Sequence, residues 1–167
     1  MTDFADELGP AYLNLVIRRL ARRLSADGNA YFSHCDLAIP AQATAIMAYL
    51  ARRENVSAAS IADALGYSHQ AVAKAVDKLE RAGLVVSGIT KADLRVRGLS
   101  MTEAGRSEHA RLEAVTDQIH SVFSSIFDES GVDLFRAIRQ FEKALDRDSL
   151  FDRLIAQNTE IDCLTPD

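Results

Sequence analysis

SAASIADALGYSHQAVAKAVDKLERAGLVVSGITKADLRVRGLSMT, Ser57 to Thr102, decides the fold. Ser57 precedes Ile61, Ala62 and Leu65, an apolar set at helical spacing, and its hydroxyl can accept an orphan N–H of the first turn. Gly66 follows directly and suits a left-handed helix end. Ser68 then caps a second helix in which Val72, Ala75, Val76 and Leu79 share one side, and Gly83 ends it. The loop between the two helices is about three residues, which forces a sharp crossing. Leu84-Val85-Val86, a polar turn at Thr90 to Asp93, and Arg95–Met101 read as a hairpin. Gly98 weakens the second strand and points to a bulge there. Two crossed helices followed by a hairpin make a winged helix-turn-helix.

Outward from this unit the chain is helical, so the expected class is mostly α with a small β-hairpin wing. On the N-terminal side, a helix is expected from Pro10 to the turn cluster Asp27-Gly28-Asn29, with Leu13, Val16/Ile17, Leu20 and Leu24 as its apolar stripe. Arg18, Arg19, Arg22 and Arg23 lie beside that stripe as repelling i,i+4 pairs. Their expected compensation is the acidic C-terminal segment, Glu142, Asp146, Asp148 and Asp152. Ala30–Ile39 reads as irregular, Pro40–Arg53 as a helix, and Val56 as a single bridge to the hairpin. On the C-terminal side, Thr102 caps a long helix reaching Phe127. Its Leu112, Val115, Ile119, Val122 and Ile126 form a 3-4-3-4 seam. After the break at Ser130-Gly131 come a helix with Leu134, Ile138, Phe141 and Leu145, and a short one around Phe151 and Leu154.

Composition narrows the class. The 167 residues, 48% hydrophobic and 26% charged, can build a sizeable core. Net charge is −5, yet Ser57 to Gly105 holds six Lys/Arg against five Asp/Glu, leaving the acidity to the flanks. That balance disfavours indiscriminate polyanion binding and permits one DNA-facing patch. No run is long and apolar enough for a membrane span, and the N-terminus lacks the basic and apolar regions of a secretory signal, so a cytoplasmic protein is expected. Cys35 and Cys163 form no CxxC pattern and read as free thiols.

The chain resembles the MarR (multiple antibiotic resistance regulator) family of dimeric winged-helix repressors. Three pieces carry the resemblance. They are Ile61-Ala62-(xx)-Leu65-Gly66, then Ala71-Val72-(xxx)-Val76-(xx)-Leu79-(xxx)-Gly83-Leu84-Val85, and Asp93-Leu94-Arg95 followed by Ser100-Met101-Thr102 and Gly105. The last is similar to the family's wing signature, with Met for Leu. The resemblance implies a homodimeric, ligand-responsive regulator, more often a repressor, that binds double-stranded DNA at a pseudo-palindrome. It implies an N-terminal dimerisation segment at 1–36, a DNA-binding domain at 37–105 and C-terminal dimerisation helices at 106–167. It also implies a small aromatic or anionic effector, for which Tyr31, Phe32 and His34 are the pocket residues of choice.

Groove chemistry then assigns roles within recognition helix 68–82 and wing 84–101. Gln70 can pair bidentately with adenine, Ala71 can touch a thymine methyl, and His69 can donate to a base acceptor or phosphate. Lys74 and Lys78 suit phosphate, as do the helix N-termini at Ser57 and Ser68. By resemblance, Arg95 would probe the minor groove with Asp93 orienting it, supported by Lys91 and Arg97. Gln70 and Ala73 stand where the family often has hydroxylated residues, and Ser87-Gly88 where a basic pair is common. Moderate, salt-sensitive binding is expected. Two other readings compete: a winged-helix protein–protein adaptor without DNA binding, and a redox switch at Cys35 beside His34. His109, Glu113, Asp117 and His120 share a helix face that reads as solvated rather than metal-binding. Neither a catalytic constellation nor a cofactor motif is visible, so the chain is not expected to be an enzyme.

Overall fold

The computed structural model describes residues 3–89 and 97–157. Its elements are α1 (Phe4–Leu8), a 3-10 turn (Pro10–Tyr12), α2 (Leu13–His34), a second 3-10 turn (Ala41–Ala43), α3 (Thr44–Ala51), α4 (Ala58–Leu65), α5 (His69–Arg81), β1 (Val85–Ile89), β2 (Arg97–Met101), α6 (Glu103–Ser130), α7 (Leu134–Arg147) and α8 (Leu150–Gln157). The chain divides into two compact units, Met1–Thr116 and Asp117–Asp167.

The first unit is centred on Ile39, Ile46, Met47, Ile61, Val72 and Leu79, each fully buried. These residues bring α3, α4 and α5 together. Leu84, Val85 and Leu99 of the hairpin region and Leu112 and Val115 of α6 complete the core. The hairpin is antiparallel, with Val85 opposite Met101 and Ile89 opposite Arg97. Val56 bridges to Leu99 as expected, so the hairpin root is tied to the start of α4.

Several boundaries differ from the sequence expectation. The helix expected to stop at Asp27-Gly28-Asn29 continues to His34. The polar residues there serve the helix: Asn29 Nδ2 donates to the Ser25 carbonyl at 2.8 Å, and Ser33 Oγ to the Asn29 carbonyl at 3.0 Å. Burial of Phe32 offsets the roughly 1 kcal/mol that Gly28 costs inside a helix. Upstream, Pro10 opens a 3-10 turn rather than an α-helix, and the short α1 was not legible. Its cap is Asp3, which accepts from the Ala5 N–H, and Asp3 also pairs with Arg19 at 2.6 Å. The helix expected over Pro40–Arg53 is shorter, because its first turn is 3-10 and Thr44 begins the α-helix. Gly98 makes no bulge. It lies opposite Gly88 in an unbroken register.

Ion pairs within the single chain engage part of the α2 arginine cluster and part of the acidic segment. Arg19 is satisfied by Asp3, while Glu142 pairs with Arg139 at 2.6 Å and Asp148 with Arg153 at 3.6 Å.

In the second unit, Asp133 caps α7 by accepting from the Arg136 N–H at 2.8 Å, and Ser149 caps α8 by accepting from Asp152 at 3.1 Å. Arg153 reaches back to the Ala144 and Asp148 carbonyls, fastening α8 to the end of α7. Phe135, Phe141, Phe151 and Leu154 are more than half exposed.

Candidate nucleic-acid interface

Helix α5 is placed by its buried face and by its cap. Val72, Ala75, Val76 and Leu79 lie in the core, so His69, Gln70, Ala71, Ala73, Lys74, Lys78 and Arg81 are turned outward. Ser68 Oγ accepts from the Ala71 N–H at 3.2 Å. The turn before it uses Gly66 at φ 65°, with the Tyr67 N–H donating to the Ala62 carbonyl at 3.0 Å. Ser57 caps α4 in the same way, accepting from the Ser60 N–H at 3.0 Å. Both caps stand as expected, and the two helix N-termini carry the partial positive charge that favours phosphate.

The structure therefore brings Ser68, His69, Gln70, Ala71, Lys74 and Lys78 onto one exposed helix, with Ser57 at the start of the helix before it. Asp77 and Arg81 share that exposed side and were not singled out from sequence. An inward/outward sort on Val72, Val76 and Leu79 would have found them. Lys91, Asp93 and Arg95 lie outside the described residues. Arg97 pairs through its backbone with Ile89 at the end of the hairpin.

The hairpin is locked to α6 by Thr102. Its N–H donates to the Leu84 carbonyl at 3.0 Å, its hydroxyl donates to the Gly83 carbonyl at 2.7 Å, and the same hydroxyl accepts from the Gly105 N–H at 2.9 Å. A Cβ on Gly105 would sit 2.0 Å from the Leu84 carbonyl oxygen. The Thr and Gly of the wing signature thus work together. One bonds to the end of the recognition helix, and the other lets α6 press against the start of the wing.

Tyr31, Phe32 and His34 do not gather into one cavity. Phe32 is part of the core, while Tyr31 and His34 are exposed and stack at 6.3 Å. A side-chain hydrogen bond with half-buried Cys35 pushes the Tyr31 hydroxyl above its ordinary value. Two open clefts lie elsewhere. One, about 350 Å³, is walled by Pro40, Ala43, Ile46, Tyr67, Ala71 and Ala75, with Gln42, Lys74 and Lys78 supplying polar groups. The other, about 570 Å³, runs between Leu24, Ser25 and Asn29 of α2 and Ala41, Gln42 and Tyr67. Gln42 and Tyr67 line both.

His109 is buried rather than solvated, with its Nδ1 3.9 Å from Glu113. Among the described residues no group of three or more His, Cys, Asp or Glu side chains is arranged to hold a metal ion. Among them, too, no helix is long and apolar enough to cross a membrane.

Two crossed helices, an outward-facing second helix and a hairpin latched behind it define a winged helix-turn-helix protein. The family model described as "MarR family" matches residues 39–95, the span from just before the second 3-10 turn into the wing. Over that span the chain is similar to the MarR family of winged-helix transcriptional regulators. Solved structures share the fold. The transcriptional repressor CouR bound to a 23-mer DNA duplex is 21% identical, with a TM-score of 0.64 over 80% of this chain and 92% of that one. MepR of S. aureus in complex with DNA is 17% identical, with a TM-score of 0.66 over 80% and 96%. BldR of Sulfolobus solfataricus is 22% identical, with a TM-score of 0.63 over 88% and 99%. No curated protein sequence matches the chain significantly.

Proposed function

We propose that this regulator is a cytoplasmic homodimer that represses transcription by binding a pseudo-palindromic operator. Residues 37–105 would read the DNA, and 1–36 with 106–167 would hold the dimer. The observation that carries the reading is α5, a Ser68-capped helix with four core residues on one side and His69, Gln70, Ala71, Lys74 and Lys78 on the other. That geometry fits a helix whose first turns enter a major groove while its lysines meet phosphate. The DNA-bound state of two structural neighbours, CouR and MepR, supports the same docking. In the wing, Lys91, Asp93, Arg95 and Arg97 take the minor-groove role implied by the family signature.

Dimerisation is supported by the exposed apolar stripe of α2 (Leu13, Val16, Ile17, Leu20, Leu24) and by the apolar surfaces of α7 and α8. For the effector, the cleft between the start of α3 and α5 fits better than Tyr31, Phe32 and His34. Its walls are apolar, and Lys74 and Lys78 at its edge suit an anionic aromatic molecule. A ligand there would meet the same lysines that phosphate needs.

A gel-shift with DNA upstream of the protein's own gene tests the reading. A shift at about 50 mM salt that weakens steeply by about 200 mM is expected. No shift at low salt would sink it and leave the adaptor reading standing. Unchanged binding after peroxide treatment would dismiss the Cys35 switch.

A further inference from the structure

The connector from α2 to the winged core is held by two side chains of α6. Helix α2 ends with the Leu37 N–H donating to the Phe32 carbonyl and Asp36 in the left-handed region at φ 51°. Arg111 Nη2 donates to the carbonyls of both Cys35 and Asp36 at 3.0 Å, and its Nη1 to Glu108 at 2.9 Å. Glu108 is buried, 7% exposed, and accepts from the Ala38 N–H. Three backbone groups of a four-residue connector are thus bound by an ion pair spaced three residues apart on one helix. The next residue, Ile39, is anchored in the core at 1% exposure. An arginine at the negative end of a helix also complements its dipole.

We propose that Glu108 and Arg111 are positioning residues whose grip on residues 35–38 fixes the direction of α2 relative to the winged core, and so sets the distance at which two copies present α5 to DNA. The second half of this proposal rests on the dimeric reading above; the first does not. Leverage makes the grip consequential. Helix α2 has 22 residues, so it is about 33 Å long, and a swing of about 5° at the connector carries its far end about 3 Å. That is close to the roughly 3.4 Å rise of one base pair. Without the clasp, the connector's backbone keeps the helix-end bonds of α2, and α2 is held to the winged core by the packing of Phe32 and Ile39, which resists swinging less well, so reading-head spacing loses definition.

The test uses the full chain with Cys35→Ser and Cys163→Ser, spin-labelled after Arg22→Cys on α2 and Asp63→Cys on α4. Diluting it with unlabelled protein leaves only the distance within one chain. Electron–electron resonance should give a narrow distribution in this background, at least twofold broader after Arg111→Met and intermediate after Glu108→Gln. An unchanged width in both variants overturns the proposal, whatever happens to DNA binding. On the operator selected by the parent protein, one-base-pair insertions or deletions at the dyad should weaken parent binding at least tenfold. In Arg111→Met they should weaken it less than threefold. Equal loss on every spacing would mark Arg111 as merely structural. If the label distance broadens but the parent binds no DNA, the clasp stands and the DNA reading fails.

Discussion

Replacing Gly105 by alanine should unfasten the wing from α6, and the size of the effect follows from the geometry. The new Cβ would lie 2.0 Å from the Leu84 oxygen and 2.9 Å from its carbonyl carbon. Both atoms are backbone, so no side chain can swing aside. The first turn of α6 must retreat by more than an ångström. Overpacking of this kind costs about 1–3 kcal/mol. The retreat also stretches the Thr102 N–H bond to Leu84 and the Thr102 hydroxyl bond to Gly83, each worth roughly 1 kcal/mol. Alanine gains about 1 kcal/mol in helix propensity over glycine, so the net loss is about 2–4 kcal/mol. For a chain of this size that corresponds to a fall in melting temperature of roughly 4–16 °C. Thermal unfolding followed by circular dichroism, at matched protein concentration because association shifts the midpoint, reads it directly. Gly66→Ala is the control. Gly66 sits at φ 65° with nothing within 4 Å of its Cβ position, so only backbone strain of about 1–2 kcal/mol applies. If Gly105→Ala melts within 2 °C of the parent, or higher, the close approach of α6 to Leu84 is refuted.

Gln70→Ala should weaken operator binding by about 1–3 kcal/mol and relax preference at one base pair, read by binding to single-base operator variants. Lys74→Ala and Lys78→Ala should each weaken binding to all sequences alike. In a dimer each substitution removes two contacts, so each should lower the slope of log K against log salt by about 2. The carboxyl of Asp3 is held below its ordinary value of 3.8 by the Ala5 N–H and then by Arg19. A depressed folded value means the contribution of Asp3 is fully present above pH 3.8 and is lost as pH falls through the lower folded value. Carboxyl titration by NMR should show that depression, and Arg19→Met should reduce it.

The winged unit was legible because its signals are local. Ser57, Gly66, Ser68, Gly83 and Thr102 each fix a helix end by bonds to residues within a few positions, and each took the role its chemistry suggested. Misreadings arose where distant groups decide. Gly28 and Asn29 look like a turn, but Phe32 in the core and Arg111, some eighty positions further on, keep the helix going to His34. Gly98 suggested a bulge, yet a glycine stands opposite it on the other strand and the register runs through. Burial of Phe32 was not legible, because aromatic side chains serve pocket walls and cores equally well. The clefts at Gln42 and Tyr67 join segments with no common sequence pattern.

Charge explains why such a protein would need two reading heads. The exposed side of α5 carries Lys74, Lys78 and Arg81 but also Asp77, and the whole chain is at −5. One copy therefore approaches DNA with little net attraction, and like-charge repulsion from its acidic flanks opposes misoriented encounters. A single α5 making two or three phosphate contacts and one bidentate base contact would bind weakly at physiological salt. Coupling two of them through a dimer turns the second contact into an intramolecular one, which raises avidity by orders of magnitude only if the spacing is right. The latch at Thr102 and Gly105 and the clasp at Glu108 and Arg111 both lie in the first three turns of α6. One fixes the wing to that helix and the other fixes α2 to it. In the proposed dimer, stiffness concentrated there would let a weakly charged reading surface act as a selective one, because a rigid pair of modest binders discriminates spacing where a flexible pair of strong binders would not.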